Sequence, residues 1–139
     1  MIRCVIVEDE EMARNVLKSL LAQYCKDVMV CAEADDVVSG KTIIEAYRPD
    51  LVFLDIEMPG GSGFKLLNSI GNINFETIFI TAYEQFAIKA IRHDALDYLL
   101  KPVDPKELVA AVEKVKETKL KKSLERQYDN ILKNLNPDQ

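Results

Sequence analysis

The chain has 139 residues, of which 48% are hydrophobic and 29% charged, with only five glycines and five prolines. This composition suits one globular domain, and it excludes an intrinsically disordered chain, a collagen-like repeat and a disulfide scaffold. Residues 1–112 carry 11 basic and 18 acidic side chains, so the body of the protein is a poor surface for nucleic acid.

Short apolar runs and amphipathic stretches alternate five times along the chain. Strands are predicted at 3–7, 28–32, 51–54, 77–80 and 96–100, because each run is short and rich in β-branched or large apolar residues. The spacing of apolar residues predicts a helix after each strand, and Asp104-Pro105 suits the start of the last one. The fold class is therefore α/β. Parallel strands with right-handed crossovers predict a doubly wound, flavodoxin-like sheet in the order 2-1-3-4-5.

The first helix has a broad apolar pattern. Its apolar residues recur at steps of three and four and are Met12, Val16, Leu17, Leu20, Leu21 and Tyr24. Such a stripe is typical of a helix face that packs on a sheet.

Ligands of open α/β sheets bind at the carboxyl ends of the strands, and polar residues stand there in this sequence. Glu8 and Asp9 follow the first strand, Asp55 the third, Thr81 the fourth and Lys101 the fifth. Clustered carboxylates repel one another, and a hard cation such as Mg²⁺ removes that cost. An ammonium and a hydroxyl beside Mg²⁺ suit a phosphoryl group. The alternative is that these acids merely cap helices and favour their dipoles.

Four segments carry a resemblance to a known family. They are VIVEDE near the start, LDIEMPGGSG at 54–63, FITAY at 79–83 and DYLLKP at 97–102. With these segments in this order, the chain resembles the receiver domain of a two-component response regulator. Within that family it is most similar to the receivers of LytTR-type regulators, whose output domain binds DNA.

The resemblance implies a phosphoacceptor domain that promotes its own phosphotransfer and dephosphorylation rather than an enzyme with a separate substrate. A sensor histidine kinase would phosphorylate Asp55, and Thr81 and Lys101 would contact the phosphoryl oxygens. Thr81 and Tyr98 would act as the switch, and the Lys101–Pro102 bond would be cis. Mg²⁺ would be the one cofactor, held by Asp9, Asp55 and the main-chain carbonyl of Glu57, and by Glu8 either directly or through water.

The last part of the chain is predicted to differ from the rest. We expect a receiver domain at 1–118, and a helical extension or linker toward an absent output domain at 119–139. Leu124, Tyr128, Ile131 and Leu135 follow at steps of four, three and four, as in a coiled-coil seam, although a frayed linker is the alternative. A homodimer would form through this tail or through the face of the fourth helix, fifth strand and fifth helix. DNA would be contacted only by the output domain.

Three rival functions share parts of this pattern. An aspartate-nucleophile phosphatase needs a second aspartate two residues after Asp55, where this chain has Glu57. A flavodoxin-like cofactor binder needs a phosphate loop after the first strand, where acidic residues stand. A degenerate receiver that only binds partners would not need the complete set of strand-end residues.

The remaining residues predict little further chemistry. Cys4, Cys25 and Cys31 lack CxxC spacing and lie far from His93, so we expect buried thiols and a surface histidine rather than a zinc site. Gly60, Gly61 and Gly63 match no phosphate-binding glycine motif and are assigned to turns. No apolar run approaches the roughly 20 residues of a membrane span, so a cytoplasmic protein without a membrane partner is expected.

Overall fold

The computed structural model describes residues 1–135 as a five-stranded parallel sheet with helices on both faces. The strands of this sheet are Ile2–Val7 (β1), Val28–Ala34 (β2), Leu51–Leu54 (β3), Glu76–Thr81 (β6) and Asp97–Leu100 (β7). Their order across the sheet is β2-β1-β3-β6-β7. Since β6 and β7 are the fourth and fifth predicted strands, the predicted fold class and strand order are confirmed.

Within residues 1–135, five helices cover the two faces of the sheet, and the sheet separates the core into two apolar clusters. The helices are α1 (Glu11–Tyr24), α2 (Val37–Tyr47), α3 (Gly63–Ser69), α4 (Ala87–Arg92) and α5 (Pro105–Leu135). Successive side chains of a strand point to opposite faces, so Ile6 packs with α1 and α5 while its neighbour Val5 packs with α2 and α3. The central strands are apolar on both faces because both faces are covered.

The sheet differs from the prediction in one additional hairpin and in the lengths of its strands: β2 and β6 are each two residues longer than predicted, and β1 and β7 differ by one residue. Strand β2 is two residues longer than predicted, because Glu33 stays in the edge strand and pairs with Arg14 and Lys18 at 3.2 and 2.9 Å. A small antiparallel hairpin, β4 (Glu57–Met58) and β5 (Gly61–Ser62), was not predicted. Its turn uses positive φ at Gly60 (87°) and Gly61 (141°), which glycine adopts at little cost.

The predicted apolar face of α1 is only partly buried. Leu17 and Leu21 are buried, whereas Met12 is 79% and Val16 51% exposed. Met12 and Val16 lie about 140° and 100° around the helix from Leu17, beyond the strip that reaches the sheet. Tyr24, the last residue of the helix, is also exposed.

Helix α5 is much longer than the others and continues without a break across residues 118 and 119. Lys119 pairs with Asp50 at 3.3 Å and Lys122 with Glu76 at 2.7 Å, which ties α5 to the amino-terminal edge of the sheet. Residues 136–139 of the predicted extension lie outside the described residues, and the domain boundary at 118 stays a prediction. Within residues 1–135, no helix combines the length and the apolar character needed to cross a bilayer.

Candidate functional site

The carboxyl ends of β1 and β3 bring three acidic residues together. Strands β1 and β3 are neighbours in register, with Val7 opposite Leu54, so the residues that follow them also lie side by side. One carboxylate oxygen from each of Glu8, Asp9 and Asp55 lies within 4.8 Å of the other two. Glu8 and Asp55 are buried, whereas Asp9 is exposed. The predicted convergence of these residues is therefore present.

Lys101 completes the charge arrangement from the end of β7. Its main-chain N–H donates to the Thr81 carbonyl at 2.8 Å, and its peptide bond to Pro102 is cis, as the resemblance implies. The Lys101 ammonium donates to Asp55 Oδ2 at 2.9 Å and also to Glu8 Oε1. The cation therefore bridges the two buried carboxylates.

The pKa values show how burial and charge compete at this position. Burial raises the pKa of Glu8 to about 7, against the hydrogen bond from Lys101, which lowers it. A hydrogen bond with Asp9 and the charge of Asp55 raise it further. Burial alone would lower the pKa of Lys101, but its hydrogen bonds to Glu8 and Asp55 raise it above its ordinary value. Holding Glu8 ionised at neutral pH thus costs free energy, which a further positive charge would reduce.

The acidic cluster fits the ligand chemistry of Mg²⁺. All three candidate ligands are carboxylate oxygens, and hard cations such as Mg²⁺ prefer oxygen to nitrogen or sulfur. The unfavourable ionisation of buried Glu8 would also be relieved by a divalent ion. Glu57 begins β4, directly after Asp55 and Ile56, and its main-chain carbonyl stays a predicted ligand.

Asp55 is held in one orientation by its neighbours. Its Oδ1 accepts a hydrogen bond from the main-chain N–H of Ile56 at 2.6 Å, while Lys101 holds Oδ2. The main chain at Gly63 passes so close that an added Cβ would overlap the Asp55 carbonyl oxygen and lie 3.0 Å from Leu54 Cγ. Gly63 therefore serves a close approach of two backbone segments, whereas Gly60 and Gly61 serve the turn as predicted.

Thr81 and Tyr98 meet through a residue that sequence reasoning missed, Tyr83. Thr81 is fully buried, and its hydroxyl accepts from the Tyr83 N–H at 3.4 Å. The Tyr98 hydroxyl donates to the Tyr83 carbonyl. Hydrogen bonding to Glu57 raises the pKa of the Tyr83 side chain. Tyr83 follows Thr81 by two residues at the same sheet edge, and this position is the signal that could have identified it.

A cleft of about 520 Å³ opens above Asp55. Its lining includes Asp9, Asp55, Glu57, Tyr83 and Lys101. Its walls are therefore mostly polar and charged, and the cleft leads from solvent to the nucleophile candidate.

The other residues considered from the sequence lie apart from this cluster. His93 is half-buried rather than fully exposed, because its ring packs on Phe64 at 4.9 Å and its Nδ1 lies 3.0 Å from the Lys89 carbonyl. Cys4 and Cys25 are buried and Cys31 is half-buried, and all three are free thiols.

Comparison with known proteins gives a consistent result. The response regulator receiver domain family matches residues 4–113. The sensory transduction protein LytT of Bacillus cereus is 39% identical over 121 residues, which are 86% of this chain and 49% of LytT. The transcriptional regulatory protein BtsR of Escherichia coli K12 is 34% identical over 128 residues, covering 89% of this chain and 52% of BtsR. This chain thus spans about half the length of these curated relatives.

A solved structure supports the same grouping. The REC domain of AraT, a response regulator from Geobacillus stearothermophilus, matches with a TM-score of 0.79 at 32% identity. The match covers 88% of this chain and 98% of the AraT chain.

Proposed function

Because the chain belongs to the response regulator receiver domain family, we propose that Asp55 accepts a phosphoryl group from a sensor histidine kinase in the presence of Mg²⁺. A receiver domain is the phosphoacceptor of a two-component signalling system. One observation carries the assignment to Asp55: its buried carboxylate lies 2.9 Å from the Lys101 ammonium and within 4.8 Å of oxygens of Glu8 and Asp9.

The geometry supports attack by an Asp55 oxygen on phosphorus. The P–N bond to the donor histidine breaks as the new P–O bond forms, and the imidazole leaves with the electron pair of the broken bond. Hydrogen bonds from Ile56 and Lys101 fix the carboxylate, so little orientational freedom is lost on reaction. The Lys101 ammonium lowers the repulsion between the carboxylate and the phosphoryl oxygens. When bound, Mg²⁺ supplies further charge neutralisation of the phosphoryl group.

Three side chains are proposed to hold the metal, and two more the phosphoryl oxygens. Glu8, Asp9 and Asp55 would ligate Mg²⁺ together with the Glu57 carbonyl, while Thr81 and Lys101 would contact the phosphoryl group. The burial of Glu8, which raises its pKa, and the closeness of its carboxylate to those of Asp9 and Asp55 support the metal assignment. The buried hydroxyl of Thr81 supports the proposed contact with the phosphoryl group, because Thr81 lies at the same edge of the sheet as Asp55.

Switching is proposed to run through Thr81 and Tyr98. A phosphoryl oxygen on Asp55 would draw the Thr81 hydroxyl away from the Tyr83 N–H, a long hydrogen bond at 3.4 Å. The Tyr98 hydroxyl is hydrogen-bonded to the carbonyl of the same Tyr83, so the Tyr98 side chain would change its position as Tyr83 moves. Coupling of about 1–3 kcal/mol is typical of linked sites and changes the affinity of a partner about 5- to 150-fold.

The partners follow from exposed surfaces and from the relatives. Met12 and Val16 on α1 offer an apolar contact for a kinase beside the site. Ile88 and Ile91 on α4, 68% and 70% exposed, offer a switched contact for a homodimer. The output is proposed to be DNA-binding transcription regulation of the LytTR type by a domain outside these residues, in keeping with the similarity to LytT and BtsR.

Intact-mass analysis tests the phosphoacceptor directly. The chain is incubated with acetyl phosphate and Mg²⁺, and we expect the mass of one phosphoryl group to be added. Asp55→Asn should add none, while Glu117→Gln, which changes an exposed carboxylate on α5, serves as the control and should still react. Excess chelator should prevent the reaction in every variant. Equal phosphorylation of Asp55→Asn and the unmodified sequence would contradict the assignment.

A further inference from the structure

The part of α5 beyond the receiver body carries a continuous apolar stripe. The large apolar side chains between residues 119 and 135 are all 40–70% exposed, and they are Leu120, Leu124, Tyr128, Ile131, Leu132 and Leu135. At about 100° per residue, these six fall within an arc of about 120°. In this span, Lys121 is the one other residue in the arc. We call this surface the tail stripe.

The tail stripe faces away from the receiver to which its helix belongs. The residues that bury α5 against the sheet are Leu108, Ala111, Val112 and Val115. Their mean direction lies about 170° around the helix from the centre of the tail stripe. Lys119 and Lys122, which pair with Asp50 and Glu76, lie on the sheet-facing side as well. The same receiver therefore cannot cover the tail stripe while α5 stays straight.

We propose that the tail stripe packs against the tail stripe of a second copy of this chain in a two-fold symmetric dimer. Its central residues, from Leu124 through Tyr128 and Ile131 to Leu135, follow at steps of four, three and four, the spacing with which like helices interlock. A two-fold axis pairs a patch with itself, so one stripe supplies both sides of the interface. The receivers would lie on the outer sides of the helix pair, where they do not collide.

The charges beside the tail stripe favour a second copy over a membrane surface. One flank is uncharged, with Ser123, Gln127, Asn130 and Asn134. On the other side, Lys121 near the margin of the arc and Glu125 just outside it carry opposite charges. Two copies therefore meet without a block of like charge, whereas helices that lie on anionic membranes have flanks rich in lysine and arginine.

The length of the tail stripe sets the strength of the dimer. It spans roughly two heptads, fewer than the three to four of a self-sufficient coiled coil. We therefore expect a reversible dimer with a dissociation constant on the order of tens of micromolar. This self-association requires neither Mg²⁺ nor phosphorylation of Asp55, so it can succeed or fail separately from the proposed function.

Sedimentation of the unphosphorylated full chain, from about 5 to about 500 µM, tests the proposal. Ile131→Glu places a charge in the tail stripe, and Asn130→Glu places the same charge on the adjacent flank as a matched control. We expect Ile131→Glu to weaken the dimer at least about tenfold and Asn130→Glu to change it less than about twofold. Leu124→Glu against Ser123→Glu repeats the comparison two turns earlier. Circular dichroism checks that helix content is kept.

Three outcomes would overturn the proposal. The first is a chain that stays monomeric over the whole concentration range. The second is equal weakening by the stripe and flank substitutions in both pairs. The third is a monomer in solution that co-sediments with phosphatidylserine vesicles and loses this binding in Ile131→Glu, since the tail stripe would then be a membrane surface.

Discussion

Replacing Glu8 with glutamine should stabilise the metal-free protein at pH 8 and have much less effect at pH 5. Glu8 is 5% exposed, and burial raises the pKa of its carboxyl group to about 7 from an ordinary value of 4.5. The unfolded chain therefore ionises Glu8 more readily than the folded chain does. The stability that belongs to the protonated group is present below pH 4.5 and is lost as the pH rises through 7.

The size of this effect follows from the two pKa values. The ionisation of Glu8 costs the folded state about 1 kcal/mol at pH 5 and about 3 kcal/mol at pH 8, since one pKa unit corresponds to about 1.4 kcal/mol. Glutamine has the same shape and its side-chain oxygen can still accept from Lys101, but it carries no charge. The stability difference between Glu8→Gln and the unmodified sequence should therefore grow by about 2 kcal/mol from pH 5 to pH 8.

Urea unfolding followed by far-UV circular dichroism measures this difference, with chelator present throughout. Glu117→Gln removes an exposed carboxylate from α5 and controls for the general effect of one charge. Added Mg²⁺ at ten times its dissociation constant should stabilise the unmodified sequence by about 1.4 kcal/mol and Glu8→Gln by less at the same concentration. A stability difference that is the same at pH 5 and pH 8 would refute the reasoning.

Three further substitutions test the site. Gly63→Ala should lower the free energy of unfolding by about 1–3 kcal/mol, because the added Cβ would overlap the Asp55 carbonyl oxygen. Gly71→Ala, which has open space around the added Cβ, should change the free energy of unfolding by less than about 0.5 kcal/mol. Equal urea midpoints for the two variants would contradict this prediction. Lys101→Met should slow phosphorylation by acetyl phosphate about 10²- to 10³-fold at unchanged fold, and a normal rate would remove the ammonium from the mechanism. Thr81→Ala should still gain the phosphoryl group but lose the change in hydrogen exchange of α4, and an intact α4 response would argue against the switch.

The strand-end residues could be predicted because their positions follow from topology. In a parallel sheet, the residues after β1 and β3 must be neighbours, and Val7 opposite Leu54 shows the register that achieves this. The resemblance added roles to these positions, but their convergence follows from the alternation of strands and helices. Apolar runs of four to seven residues are strong enough patterns to locate the strands within one or two residues.

The features that could not be predicted depend on how deeply a side chain is buried and on very short strands. The β4–β5 hairpin has two-residue strands, which are too short to show any periodicity. Met12 and Val16 have the spacing of core residues, but spacing does not tell how wide a strip of α1 reaches the sheet. The roles of Tyr83 depend on its main-chain N–H and carbonyl, which every residue except proline offers, so only its position two residues after Thr81 points to it.

The continuous α5 helix is long enough for a small rotation at its base to move its far end by several ångströms. Its 31 residues extend about 46 Å from Pro105, four residues after Lys101, to Leu135. A tilt of only about 5° at its base would displace the far end by about 4 Å, most of one helical turn. The ion pairs of Lys119 and Lys122 hold α5 to the sheet, and their flexible side chains can adjust to a tilt of this size without breaking the pairs. A tilt too small to alter the packing around Asp55 would therefore displace Leu135 by most of one helical turn.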